Sequence, residues 1–116
     1  MVYNEPGGAK VRAAILSPLY VVAISSVNWC EVLTKISRKL PTITAAKLDA
    51  ILPGVEVVPF GRPEAEQTAS LARSCPNISM GDRACLALTR SLDSTAWTAD
   101  KIWAQLTVDV KVKVIR

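Results

Sequence analysis

The 116-residue sequence contains no histidine, which removes several catalytic and metal-binding chemistries at once. A Ser-His-Asp triad, a Cys-His nucleophile pair and a histidine ligand for zinc are all excluded. The three cysteines, Cys30, Cys75 and Cys85, have spacings that match no zinc site, and their odd number argues against a disulfide framework. We therefore expect buried thiols in a protein from a reducing compartment.

Long apolar runs are also lacking, although half of the residues are apolar. The longest such stretch, residues 13–29, is interrupted by Pro18 and by serines, and it falls short of the roughly 20 apolar residues that a membrane span needs. The first residues carry neither a basic segment followed by an apolar stretch nor a signal cleavage site. These absences predict a cytoplasmic protein without a membrane partner.

The length and composition suit one compact domain over residues 1–116. A chain of this size buries roughly two-thirds of its unfolded surface, and 21% charged residues is a globular composition. The net charge of +4 suits a polyanionic partner but does not by itself specify one.

Strand-like and helix-like hydrophobic patterns alternate along the chain. Strands are predicted at residues 20–24, 55–60, 95–98 and 108–115, and helices at 9–16, 26–40, 42–52, 62–75, 80–92 and 100–105. This alternation is typical of an α/β fold, in which helices cover both faces of a parallel sheet. Ligands are expected at the carboxyl ends of the strands.

The helix predicted at residues 26–40 has apolar residues at helical spacing. They are Val27, Cys30, Leu33, Ile36 and Leu40. We expect apolar surface around Ile36 and Leu48 to be available to a protein partner or to a second copy of the chain.

Three carboxylates, Glu31, Asp82 and Asp100, each lie near the first turn of a predicted helix. For Glu31 and Asp100 that helix directly follows a predicted strand, so these positions are expected to converge on one edge of the sheet. Carboxylates gathered there would repel each other unless a divalent cation neutralised them, and hard oxygen ligands select Mg²⁺ or Mn²⁺. The pattern favours a metal site.

Each of these acids also has a simpler interpretation. Glu31 precedes Lys35 by four residues, which is the favourable spacing for an ion pair on a helix. Asp82 fits a capping box with Ser79, and Asp100 fits a helix cap. Similarly, Lys35, Arg38 and Lys39 form a basic helix end that favours a solvated surface, although near an acidic metal centre it could hold phosphates.

Several segments, in this order, resemble those of PIN-domain proteins, in particular the VapC-type toxins of bacterial type II toxin–antitoxin pairs. The segments are SVNWCEVLTKI (26–36), VVPF (57–60), ISMGDRACLALTRSL (78–92), TADKIW (98–103) and VKVIR (112–116). The resemblance implies a three-layer α/β/α sandwich with a parallel central sheet. It also implies a Mg²⁺- or Mn²⁺-dependent endoribonuclease with an RNA substrate, a cognate antitoxin protein and a homodimeric assembly.

The resemblance carries roles to individual residues of this chain. Glu31, Asp82 and Asp100 match the second, third and fourth catalytic, metal-binding acids of the family. Thr98 matches the hydroxyl residue that supports the last acid, and Asn28 matches an asparagine beside the site. Contacts to RNA are assigned to Arg83 and Lys101.

One departure from the family pattern concerns the first strand and the aspartate that ends it. Here Met1–Tyr3 stands directly before the Asn-Glu-Pro-Gly segment, so that strand, its acid and most of the first helix are expected to be missing. Either the start codon is assigned too late or the chain is a truncated copy, and the three intact acids favour the first explanation. The rival function is a non-catalytic protein that retains antitoxin or RNA binding.

Overall fold

The structure, a computed structural model, describes residues 21–51, 54–98 and 111–114. In chain order its elements are strand β1 (Val22–Ser25), helices α1 (Ser26–Lys39) and α2 (Ala45–Ile51), strand β2 (Val55–Val58), helices α3 (Arg62–Ser70) and α4 (Met80–Ser91), and strands β3 (Thr95–Thr98) and β4 (Lys111–Val114). These elements fall into two compact units, Met1–Pro59 and Phe60–Arg116. A single domain over residues 1–116 stays a prediction.

The first unit is built on the parallel pair β1–β2, in which Val22 lies opposite Val55 and Ser25 lies opposite Val58. Helix α1 packs against both strands. The core consists of the fully buried Ile36 and Leu48 and the apolar side chains around them: Trp29, Val32, Leu33, Ile43 and Val55. Trp29 is thus a core residue, as its apolar surroundings in the sequence predict.

Two expectations about α1 and α2 are wrong. Cys30 is exposed rather than buried, because the core-facing side of the helix runs through Trp29, Val32 and Ile36, and Cys30 lies off that stripe. The expected interaction surface around Ile36 and Leu48 does not exist, since these side chains are only 1% and 0% exposed. They are covered by each other and by their neighbours in the core.

The second unit is built on the parallel pair β3–β4, with Thr95 opposite Lys111 and Thr98 opposite Val114. Helices α3 and α4 pack together, and α4 packs on β3. The core residues of this unit are Leu71, Cys75, Leu86, Ala87 and Ala96. Ala96 from the middle of β3 and Leu86 from the middle of α4 belong to the same buried cluster. This packing holds α4 against β3.

The predicted elements are largely confirmed within the described residues. β3 has the predicted bounds, β2 ends at Val58 and not at residue 60, and α2 begins at Ala45 and not at residue 42. The predicted helix 62–75 ends at Ser70 and continues as turns, in which the Leu71 amide donates to the Thr68 carbonyl at 3.2 Å and the Cys75 amide donates to the Leu71 carbonyl at 2.9 Å. These turns bring both Leu71 and Cys75 into the core. The predicted helices 9–16 and 100–105 lie outside the described residues, as do residues 1–20, where the absence of a first strand is expected.

Within residues 21–51, 54–98 and 111–114, none of the helices is both long enough and apolar enough to cross a membrane.

Candidate functional site

The first part of the candidate site lies where β1 passes into α1. Ser25 is the last residue of β1 and the N-cap of α1, and its buried side-chain oxygen accepts a hydrogen bond from the Val27 amide at 3.2 Å. This cap satisfies one of the free amides of the first turn and lets the helix start directly at the carboxyl end of the strand. The polar residues of the first two turns of α1 are therefore held close to that edge of the β1–β2 sheet.

Asn28 and Glu31 meet on this part of α1. The Asn28 side-chain amide donates to Glu31 Oε1 at 3.0 Å, Asn28 being half-buried and Glu31 exposed. The expected alternative, an ion pair between Glu31 and Lys35, does not form among the described residues. The hydrogen bond orients one oxygen of Glu31 and leaves the carboxylate open to solvent. The sequence signal for this contact is the spacing of three residues between Asn28 and Glu31 on one helix.

The second part of the candidate site is the start of α4. Ser79 is the N-cap, and its Oγ accepts a hydrogen bond from the Asp82 amide at 3.1 Å. The Arg83 amide in turn donates to the Ser79 carbonyl at 3.0 Å. The Ser79 half of the expected capping box is therefore confirmed. Asp82 is half-buried in the first turn, where the positive end of the helix dipole favours a carboxylate.

Within the second unit, Asp82 lies toward the carboxyl end of β3. Helix α4 and β3 are joined by three residues, and the Ser94 amide donates to the Thr89 carbonyl at 3.1 Å, so the chain reverses direction between them. The cluster that joins Leu86 to Ala96 requires the two elements to run side by side. The first turn of α4 and Thr98, the last residue of β3, are consequently on the same side of this unit.

The remaining predicted residues are placed less completely. Asp100 and Lys101 lie outside the described residues, and Thr98 is placed as the end of β3. In the part of the chain that the structure describes, no three histidine, cysteine, aspartate or glutamate side chains form a cluster suited to a metal. The donors themselves fit a hard cation, because Glu31 and Asp82 offer carboxylate oxygens and the sequence offers no histidine.

Arg83 follows Asp82 on α4 and differs from the surface arginines. It is half-buried, and its Nε atom is buried without a hydrogen-bond partner in the structure. A guanidinium group remains charged at any physiological pH and has five N–H donors. Arg83 is therefore a half-buried cation with one donor that no hydrogen bond in the structure satisfies.

The cap of α4 gives a first testable expectation. Ser79→Ala removes the acceptor for the Asp82 amide, and we expect the free energy of unfolding to fall by about 1 kcal/mol. Urea denaturation of the full chain measures this change. The matched control is Ser91→Ala at the other end of α4, where the side chain donates only to the Leu88 carbonyl, and a loss there as large as at Ser79 would contradict the capping role.

Comparison with known proteins agrees with the motifs. Residues 1–108 match the PIN domain family. No curated protein matches the sequence significantly. Among solved structures, the fold is similar to a chain of the crystal structure of VapBC2 from Rickettsia felis bound to a DNA fragment from their promoter, with a TM-score of 0.69 and 16% sequence identity over 90% of this chain and 81% of that chain.

The family match extends over most of the chain, and the likeness to the solved structure concerns the fold. Together they confirm the family and the fold class that the motifs imply, a parallel-stranded α/β/α architecture. PIN domains are generally nucleases that use divalent metal ions. The chain belongs to the PIN-domain family.

Proposed function

We propose that this chain is a Mg²⁺- or Mn²⁺-dependent endoribonuclease and the toxin of a toxin–antitoxin pair. The observation that carries the proposal is the placement of Asp82, a half-buried carboxylate in a capped first turn on the same side of its unit as the carboxyl end of β3. Asp100 follows β3 by two residues in the sequence, and Glu31 follows β1 in the first unit. The proposed catalytic and metal-binding residues are these three acids.

The proposed roles follow from the chemistry of each side chain. Glu31, Asp82 and Asp100 would hold the cation through carboxylate oxygens, and Asn28 would orient Glu31 through its hydrogen bond. Thr98 would support Asp100, and Arg83 and Lys101 would bind phosphate oxygens of the RNA. When bound, the cation supplies positive charge to the scissile phosphate and lowers the pKa of a water molecule.

The proposed protein partner is supported by the similar solved structure. That structure contains VapBC2 on promoter DNA, which supports an antitoxin as the protein partner of this chain. The same proposal includes RNA as the substrate, a homodimer and a cytoplasmic location.

The experiment is cleavage of a structured RNA by the full chain in buffer containing Mg²⁺, Mn²⁺ or EDTA. We expect cleavage with either metal and none with EDTA. RNA cleavage that persists in EDTA would contradict a metal-dependent mechanism. Absence of cleavage with both metals, while the folded chain still binds RNA, would favour the non-catalytic alternative.

The role of Asn28 gives a second expectation. Asn28→Ala removes the donor that orients Glu31, and we expect the affinity for Mn²⁺ to fall about 10-fold, because partners of metal ligands typically contribute 10- to 100-fold. Isothermal titration calorimetry with Mn²⁺ measures the change. Asn77→Ala, at an exposed turn position, is the matched control, and equal affinity losses in the two variants would contradict a specific role for Asn28.

A further inference from the structure

The exposed side of α1 carries opposite charges at its two ends. Glu31 lies in the second turn, and Lys35, Arg38 and Lys39 follow it at spacings of four, seven and eight residues. These spacings place all four side chains on one face of the helix. We call Lys35, Arg38 and Lys39 the basic stripe; all three are exposed. The buried side of α1, with Trp29 and Ile36, faces a different direction.

Helix stability alone does not account for the basic stripe. Arg38 and Lys39 lie in the last turn, where the negative end of the helix dipole favours cations. Lys35 lies a turn earlier, and its acidic neighbour Glu31 binds Asn28 instead. Among the described residues, neither Lys35 nor Arg38 takes part in an ion pair. Lys35 and Arg38 are thus exposed cations that the described residues leave without an ion pair.

The surrounding segment is uniformly basic. Residues 32–48 contain four lysines and arginines and no acid. The stripe consists of three cations with Leu40, 41% exposed, as an apolar neighbour, whereas protein interfaces rely on several buried aromatic and apolar anchors. A flexible polyanion fits this surface better than a folded protein does.

We propose that the basic stripe binds the phosphate backbone of a single RNA strand and guides it toward Glu31. At a rise of about 1.5 Å per residue, Lys39 lies about 12 Å along α1 from Glu31. That length corresponds to roughly three to four nucleotide steps at ~3.4 Å each, the axial spacing of phosphates along one strand of a duplex. The proposal rests on the proposed nuclease function and adds the path of the substrate, with contacts to phosphates and not to bases.

The test is the salt dependence of RNA binding by the full chain. The probe is a fluorescein-labelled single-stranded RNA of mixed sequence in EDTA, so that binding is measured without cleavage. A triple variant, Lys35→Gln with Arg38→Gln and Lys39→Gln, is expected to reduce the slope of log K against log salt by about 2, since each lost contact to a single strand contributes about 0.7. At 50 mM salt its affinity is expected to fall at least about 10-fold.

The matched control removes the same charge from the second unit. Arg62→Gln, Arg73→Gln and Arg90→Gln are combined in one variant, because these three side chains are also exposed. This control is expected to retain the wild-type slope to within about 0.7, one contact. Equal losses in the two triple variants would overturn the inference, because net charge alone would then explain RNA binding. The single variants Lys35→Gln and Arg38→Gln, each with an expected loss of about 0.7, keep the test valid if the triple variant unfolds.

Failure of the inference and failure of the proposed function give different results. If the basic-stripe variant binds RNA like the wild type while the wild type cleaves RNA with Mg²⁺, the inference is wrong and the nuclease function stands. If the wild type neither binds nor cleaves RNA, both are wrong. If the stripe variant loses binding of polyglutamate but retains binding of RNA, the surface serves an acidic protein and the inference is overturned.

Discussion

Asp82→Asn is expected to reduce metal-dependent RNA cleavage by at least about 100-fold, the effect typical of losing one charged or hydrogen-bonding group at a reacting centre. Asparagine has nearly the same shape as aspartate but lacks the negative charge that would hold a divalent cation. The hydrogen bond from residue 82 to Ser79 uses the backbone amide, so the substitution leaves the cap of α4 in place. Cleavage of a structured RNA with Mg²⁺ and Mn²⁺, together with calorimetric Mn²⁺ binding, measures the effect.

The control for Asp82→Asn is Glu66→Gln, which removes one acid from the same unit without touching the candidate site. Glu66 is exposed and pairs with Arg62 at 2.9 Å on α3, and an exposed pair of this kind contributes at most about 1 kcal/mol to stability. Cleavage should be unchanged in this variant. If Asp82→Asn cleaves RNA as fast as Glu66→Gln does, Asp82 has no part in catalysis.

Helix starts are the part of this fold that the sequence predicts best, because their signals are local. Ser25 or Ser26, ahead of an apolar helical pattern, and Ser79, three residues before Asp82, are typical helix starts, and Ser25 and Ser79 each accept a hydrogen bond from an amide of the first turn. Pro63 and the acids that follow it are also a local signal for the start of a helix, and at the start of α3 the Glu64 side chain accepts a hydrogen bond from the Gly61 amide at 2.9 Å. In each case the partners lie within three residues of one another, so no long-range contact is needed.

Burial is predicted less well, since it depends on which neighbours a face meets. Cys30 fits the apolar spacing of α1 but is exposed, because the helix presents Trp29, Val32 and Ile36 to the core instead. The end of α3, at Ser70 and not at residue 75, differs from the prediction for a similar reason. Leu71 and Cys75 continue a helical pattern, yet both reach the core from a series of turns and join the buried cluster that contains Leu86.

In the candidate site, too, the local features are predicted by the sequence and the long-range ones are not. The local position of each described acid agrees with the sequence: Glu31 follows β1, and Asp82 lies in the first turn of α4. Convergence of Glu31, Asp82 and Asp100 on one cation stays a prediction, because it depends on pairing between strands that are far apart in the chain. Local capping and helical spacing contain no information on that pairing.

Leu86→Ala is expected to lower the free energy of unfolding by about 2 to 5 kcal/mol, a large part of the roughly 5 to 15 kcal/mol that stabilises a typical domain. Leu86 is fully buried in the core of the second unit, between α4 and β3. Its truncation removes apolar contacts and leaves a cavity that the surrounding side chains fill only in part. Urea denaturation followed by circular dichroism measures the loss.

The matched control is Leu92→Ala, the same chemical change at the end of α4, where the side chain is 50% exposed. A surface change of this kind is expected to stay within about 0.5 kcal/mol, so equal losses at the two leucines would contradict the packing seen around Leu86.

Leu86→Ala and Asp82→Asn should also separate stability from function. At low temperature the folded Leu86→Ala chain is expected to keep its Mn²⁺ affinity. Asp82→Asn is expected to lose Mn²⁺ affinity while its free energy of unfolding falls by at most about 1 kcal/mol, because the carboxylate contributes only a dipole interaction in the first turn of α4, whereas Leu86 fills the core at the middle of the helix.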